Sequence, residues 1–171
     1  MATKSNNARN LACVILAAGE GKRMKSSIPK VLHGVAGKPI LRHVTDAAAG
    51  AGISRLVIVV ASEHREMESL VGGKGVEFVV QKDRLGTGHA MQQAQKALKD
   101  FKGDVVVLCG DAPLIRPQTI AALIEQHREE ENVCTVLTAK IRDPKDYGRI
   151  VRNAVGGVVR IVEEKEANAQ E

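Results

Sequence analysis

The sequence predicts an α/β domain in which helices flank a Rossmann-like, mostly parallel sheet. Short β-branched runs alternate with amphipathic stretches of helical length, and the first of them, Leu11 to Ala18, opens directly into a glycine-punctuated, cation-rich loop. Aromatic residues make up only 2% of the chain and Trp is absent, so the core has to be aliphatic. With 171 residues, 44% of them apolar, the chain is long enough for one sizeable core. Residues 11 to 171 are read as that domain and the polar residues 1 to 10 as a disordered N-terminal segment.

The elements follow in order. Leu11 to Ala18 is too short to cross a bilayer and is bounded by Gly19, which suits the first strand of an open sheet. Ile40 to Ala51 reads as a helix stopped by Gly52, and Arg55 to Ala61 as the second strand. A short helix from about Glu63 to Val71 ends at Gly72-Gly73, ahead of a third strand at Val76 to Val80. Gly88 to Lys99 is expected to be helical, with Ala90, Ala94, Ala97 and Leu98 on its apolar face. Asp104 to Cys109, dense in valine, reads as a central strand. Pro117 opens a helix running to about Glu130, and Val133 to Ala139 reads as a further strand. Arg149 to Arg152 and Val158 to Glu163 are expected as two short strands around a turn at Asn153 to Gly157. Glu164 to Glu171 forms no packed element of its own.

Composition narrows the function. A net charge of +5 invites a nucleic-acid partner, but stacking platforms are scarce and the cations form no long tract. An anionic small molecule accounts better for Lys22, Arg23, Lys25 and Lys30 clustered in one loop. Cys13, Cys109 and Cys134 lie in apolar runs at spacings that match no zinc site, and their odd number cannot fully pair within the chain. They are read as buried, reduced thiols of a cytoplasmic protein. The polar N-terminus has no apolar stretch of signal-peptide type, and no membrane association is expected.

Three segments carry chemistry. The first loop fails as a P-loop, since Leu16 stands where the first glycine belongs and Arg23 follows Gly21-Lys22. It also fails as a dinucleotide fingerprint, because Met24 replaces the third glycine. What survives is Gly19-x-Gly21-x-Arg23-Met24 followed by Pro29-Lys30, able to offer backbone N–H groups and fixed cations to a polyphosphate. Gln81-x4-Gly86-Thr87-Gly88-His89-Ala90 supplies an amide that can pair with a pyrimidine edge and a glycine that admits a base, although the glycines alone could mark an ordinary helix start. His89 is assigned a packing or supporting role rather than that of a base. Gly110-Asp111-Ala112-Pro113-Leu114 places a carboxylate just past the most apolar strand, suited to Mg²⁺ or to a plain turn.

In this order, Leu-Ala-Ala-Gly-x-Gly-x-Arg-Met, Pro-Lys-Val-Leu-His, the Gln81 segment, Gly-Asp-x-Pro-Leu, Tyr147-Gly148-Arg149 and Ile161-Val162-Glu163 resemble the bacterial N-acetylglucosamine-1-phosphate uridylyltransferases among the sugar-1-phosphate nucleotidyltransferases. The resemblance covers about residues 11 to 166. It implies a nucleotidyltransferase that joins UTP and N-acetylglucosamine 1-phosphate, with Mg²⁺, to give UDP-N-acetylglucosamine and pyrophosphate. Leu16, Ala17, Ala18 and Gly19 would line the nucleotide site, Arg23 and Lys30 would bind the triphosphate, and Gln81, Gly86 and Thr87 would hold the uracil. Cys109 and Gly110 would border the nucleotide, and Asp111 would be a metal ligand. Gly148 and Glu163 would contact the amino-sugar phosphate.

The family's sugar-binding and second metal-binding asparagines would lie beyond Glu171, so the domain is expected to be truncated on its sugar side. Apolar surface left exposed there would favour a homo-oligomer. Two other readings stay open at this point: transfer involving another NTP or sugar 1-phosphate, and a nucleotide-binding regulatory module without turnover.

Overall fold

The computed structural model describes residues 10–19, 21–61, 65–83 and 85–168, which divide into two compact units at Glu130/Glu131. The expected N-terminal disorder falls outside the described residues, apart from Asn10. The first unit runs β1 (Asn10–Leu16), β2 (Gly34–Val35), β3 (Lys38–Pro39), α1 (Ile40–Gly50), β4 (Arg55–Val60), α2 (Arg65–Val71), β5 (Val76–Val80), α3 (Thr87–Gln93), β6 (Gly103–Cys109) and α4 (Pro117–Glu129). The second contains the antiparallel pair β7 (Arg149–Arg152) and β8 (Val158–Val162).

The main sheet has the order β5-β4-β1-β6 with every pairing parallel. The fold is thus α/β, with a parallel sheet and helices on both faces. Alternation along β1 produces the two faces: Cys13 and Ile15 enter one apolar cluster with α1, α2 and α4, while Val14 enters another with Ala90 and Ala94 of the α3 segment. Helix α1 shows why it forms, since Ile40, Leu41, Val44, Ala47 and Ala48 recur on one stripe and are all buried.

Several expectations need correction. The valine-rich strand β6 is not central: among the described residues it pairs only with β1, and its alternate side chains are open, Val107 being 48% exposed. Val133 to Ala139 forms no strand, and Val133 is fully exposed. Valine favours a strand only where a neighbour supplies the ladder and a surface to pack on, and among the described residues the sheet stops at β6. The helix expected at Gly88 to Lys99 is regular only to Gln93 and continues as turns. The start of the helix expected from Glu63 lies outside the described residues. The small hairpin β2–β3 has no signal in apolar periodicity.

The thiols also differ from expectation. All three are free, but Cys13 alone is buried, while Cys109 and Cys134 are exposed: the edge strand β6 buries only Val106 and Leu108 of its alternating side chains, leaving Cys109 on the open set, and Cys134 lies in no strand. Burial pushes the Cys13 thiol from its ordinary 9.0 up to about 12. A thiol harder to ionise when folded stabilises the fold below its unfolded value, and that contribution is lost as pH rises from about 9 toward 12. Urea denaturation over this window should therefore show a shallower alkaline loss of stability in Cys13→Ala than in the parent.

Candidate functional site

Strand β1 sits at the point where the sheet's sequence order reverses, with β4 on one side and β6 on the other. In open parallel sheets the crevice outside the carboxyl ends of such strands is where ligands bind. Residues of the loops after β1 and β6 meet there. Gly110 N–H donates to Leu16 O at 2.9 Å, and Ala17 N–H donates to Val59 O at 2.8 Å, extending the ladders past the strand ends. Ala17 and Ala18 are buried, and Gly19 faces open space. A side chain on Gly110 would place its Cβ 2.9 Å from Leu16 O and 3.2 Å from the Ala17 methyl, so only glycine allows this close approach.

The two candidate charges are brought together across 81 positions of sequence: Lys30 Nζ lies 2.6 Å from Asp111 Oδ2. Pro29 leads into a short 3-10 turn at Lys30–Leu32, and buried Val31 anchors that turn to the core while Lys30 projects outward. The pair is partly exposed on both sides, 32% for Lys30 and 43% for Asp111. Such pairs contribute only about 0–1 kcal/mol, so these charges can be redirected to a ligand at low cost. Arg23 lies exposed in a second 3-10 turn, Lys22–Met24. Partial burial raises the Cys109 thiol's pKa, the Asp111 carboxylate raises it further and Lys30 opposes both, which favours the neutral thiol.

Spacing alone did not show what Gly21 does. Its φ of +62° is left-handed, and a Cβ there would meet Lys30 Cβ at 2.7 Å, so this glycine makes room for the lysine stem. The Gly-x-Gly pattern was the visible signal; the lysine it accommodates was not.

At the carboxyl end of β5, Gln81 is 4% exposed, and its amide nitrogen lies 3.2 Å from Gly86 O and 3.1 Å from His89 Nδ1. Thr87 is exposed at the start of α3. In the second unit, a Cβ on Gly148 would lie 4.0 Å from Glu163 Oε1, so the two residues expected on the sugar side are neighbours. Arg149 pairs with Glu164 at 3.5 Å and donates to the carbonyls of Pro144 and Tyr147, which ties down the Tyr147-Gly148 turn.

Among the described residues, no three His, Cys, Asp or Glu side chains converge as a metal cage. Asp111 nevertheless offers a partly exposed hard oxygen donor. Mg²⁺ takes one or two protein carboxylates and completes its shell with water and phosphate oxygens, so this donor set fits an ion that arrives with a polyphosphate. A shallow depression of about 540 Å³ lined by Arg55, Lys74 and Glu77 lies at the opposite, amino-terminal edge of the sheet, away from these residues.

Residues 13–161 match the MobA-like NTP transferase domain family. This chain belongs to that family. It is 48% identical over 162 residues to the bifunctional protein GlmU of Bacillus cereus (strain AH187), and 47% identical over 163 residues to that of Geobacter metallireducens. Each alignment covers 95% of this chain, which spans about a third of the length of those relatives, 35% and 34%. Among solved structures, a UDP-glucose pyrophosphorylase complexed with UDP-glucose shares the fold, with a TM-score of 0.74, 18% identity and coverage of 95% of this chain and 71% of that one. Rv0371c from Mycobacterium tuberculosis H37Rv, at a TM-score of 0.59 and 23% identity, covers 68% of this chain and 60% of its own. A structure of that protein is described as a complex with manganese.

For this NTP transferase domain, Gly21→Ala should cost roughly 1–2 kcal/mol in urea denaturation from the left-handed backbone. It should also weaken nucleoside triphosphate binding by displacing Lys30. Gly34→Ala, where the added carbon meets nothing within 4 Å and φ is ordinary, is the control expected to leave triphosphate affinity unchanged.

Proposed function

We propose that this chain is the nucleotide-binding portion of a uridylyltransferase that joins UTP and N-acetylglucosamine 1-phosphate into UDP-N-acetylglucosamine, releasing pyrophosphate. The observation that carries the reading is the Lys30–Asp111 pair at the sheet's switch point. It joins a cation suited to phosphate and a carboxylate suited to a hard metal, in a chain nearly half identical to the GlmU proteins.

In this reading a phosphate oxygen of the sugar phosphate attacks the α-phosphorus of UTP in line. The new P–O bond forms as the bond to pyrophosphate breaks, without a covalent enzyme intermediate. Leu16 to Gly19 shape the floor of the nucleotide site, and Cys109 and Gly110 close its side. Arg23 and Lys30 neutralise the triphosphate and the departing pyrophosphate, while Gln81, Gly86 and Thr87 hold the uracil. Gly148 and Glu163 contribute to the sugar-phosphate side. Asp111 is the residue that would hold Mg²⁺, whose charge, when bound, neutralises phosphate oxygens. Catalysis is then mostly positioning and electrostatics. Residues 11 to 171 would carry this nucleotidyltransferase role in the cytoplasm, making an activated amino sugar for peptidoglycan and the cell wall. The free thiols are compatible with a reducing compartment, and among the described residues no helix is long and apolar enough to cross a membrane. Exposed Val105, Val107 and Leu114 support self-association.

The direct test is pyrophosphate release and binding across a panel of NTPs and sugar 1-phosphates; preference for UTP is expected, and equal binding of all NTPs would reject the uridylyl assignment. Calorimetry should show Lys30→Ala weakening UTP binding by about 1.5–3 kcal/mol with the fold intact, the loss of one charge-assisted phosphate contact. Asp111→Asn should remove the dependence of UTP affinity on Mg²⁺, since an amide is a poorer ligand for a hard cation. Retained Mg²⁺ dependence in that variant would make Asp111 structural.

A further inference from the structure

We propose that His89 is a positioning residue for base selection: as the neutral ring protonated on Nε2, it accepts from Gln81 and so leaves Gln81 presenting only an acceptor to the base. This rests on the reading that Gln81 meets the pyrimidine. The orientation of the Gln81 amide follows from chemistry, because the Gly86 carbonyl 3.2 Å away can only accept. The atom facing it must therefore be the amide nitrogen. That same nitrogen lies 3.1 Å from His89 Nδ1, so Nδ1 must be the unprotonated, accepting nitrogen of the ring.

A competing donor faces the opposite ring nitrogen, with Gln93 Nε2 3.1 Å from His89 Nε2. A neutral imidazole has one acceptor nitrogen and cannot serve both amides. Gln93 also donates to the His89 backbone carbonyl at 3.1 Å and is only half-buried. Gln81 is 4% exposed, so its amide hydrogens have little access to water. Leaving a buried amide hydrogen unpaired is the costlier choice, so Gln81 takes the acceptor and Gln93 rotates to suit.

Both hydrogens of the Gln81 amide are thereby committed. Its carbonyl oxygen takes no hydrogen bond among the described residues and is the group left for a ligand. Uracil presents an N3–H donor between two carbonyls, whereas cytosine presents a bare N3 acceptor at that place. An acceptor held toward the base pairs with the first and repels the second. Specificity built on such a repulsive contact needs the amide locked, and His89 with Gly86 is the lock.

Two measurements test this. In the unliganded protein, ¹⁵N NMR of His89 should show the Nε2–H tautomer; the Nδ1–H tautomer would overturn the proposal. The ratio of UTP to CTP affinity should fall about tenfold in His89→Phe, which keeps a ring but removes the acceptor. His89→Asn, whose carbonyl can stand where Nδ1 stood, should restore most of the ratio. A parent that does not prefer UTP would sink the uridylyl reading together with this proposal. A UTP-preferring parent whose ratio is unchanged in a folded His89→Phe would sink this proposal alone.

Discussion

The candidate site depends on the parallel pairing of β1 with β6. Their register, Asn10 opposite Gly103 through to Leu16 opposite Cys109, ends both strands at one level, so the loops after them emerge side by side. Because β4 lies on the other side of β1, the chain leaves the sheet in opposite directions from this line and a crevice opens. Shifting the pairing by one residue would turn Val14 toward the cluster that now holds Cys13 and Ile15. Burial on both faces of β1 therefore guards the register, and through it the 2.6 Å meeting of Lys30 and Asp111.

Around that pairing the site is built with weak interactions where a ligand must enter and with rigid ones where it must not. Lys30 and Asp111 are partly exposed and neutralise each other at little gain, so both can be turned to a ligand. Their backbones are held more firmly, by Val31 in the core and by Gly110 against Leu16 and Ala17. Two glycines thus act by what they leave out: Gly21 leaves space for the lysine stem, and Gly110 lets two strand ends close on each other. At the base side the logic reverses. Gln81 is almost wholly buried and its amide fully engaged, which suits a group that must hold one orientation.

Much of the first unit was legible in the chain. The β1, β4 and β5 segments and helices α1 and α4 carry strong periodicity and clear stops, and they appear within a residue or two of expectation. Expectations failed where propensity was asked to stand in for a neighbour. Val133 to Ala139 has strand composition but no ladder among the described residues, and β6 has the composition of a central strand yet forms the sheet's edge. Cys109 and Cys134 were expected to be buried for the same reason, since an apolar run says nothing about what covers it.

The sequence by itself determined the fold class, the glycine-rich loop after the first strand and the types of group available at its edge, because these depend on local period, backbone freedom and side-chain chemistry. It also carried the order of motifs by which the family is known. Only the tertiary structure decided that Lys30 and Asp111 are partners, that Gly21 exists for Lys30, and that Gln81 is held by Gly86 and His89. The first two are contacts between residues remote in sequence or packed across a turn, set by strand order and register rather than by local composition. The third depends on which carbonyl and which ring nitrogen a buried amide reaches, and that is a matter of position in space.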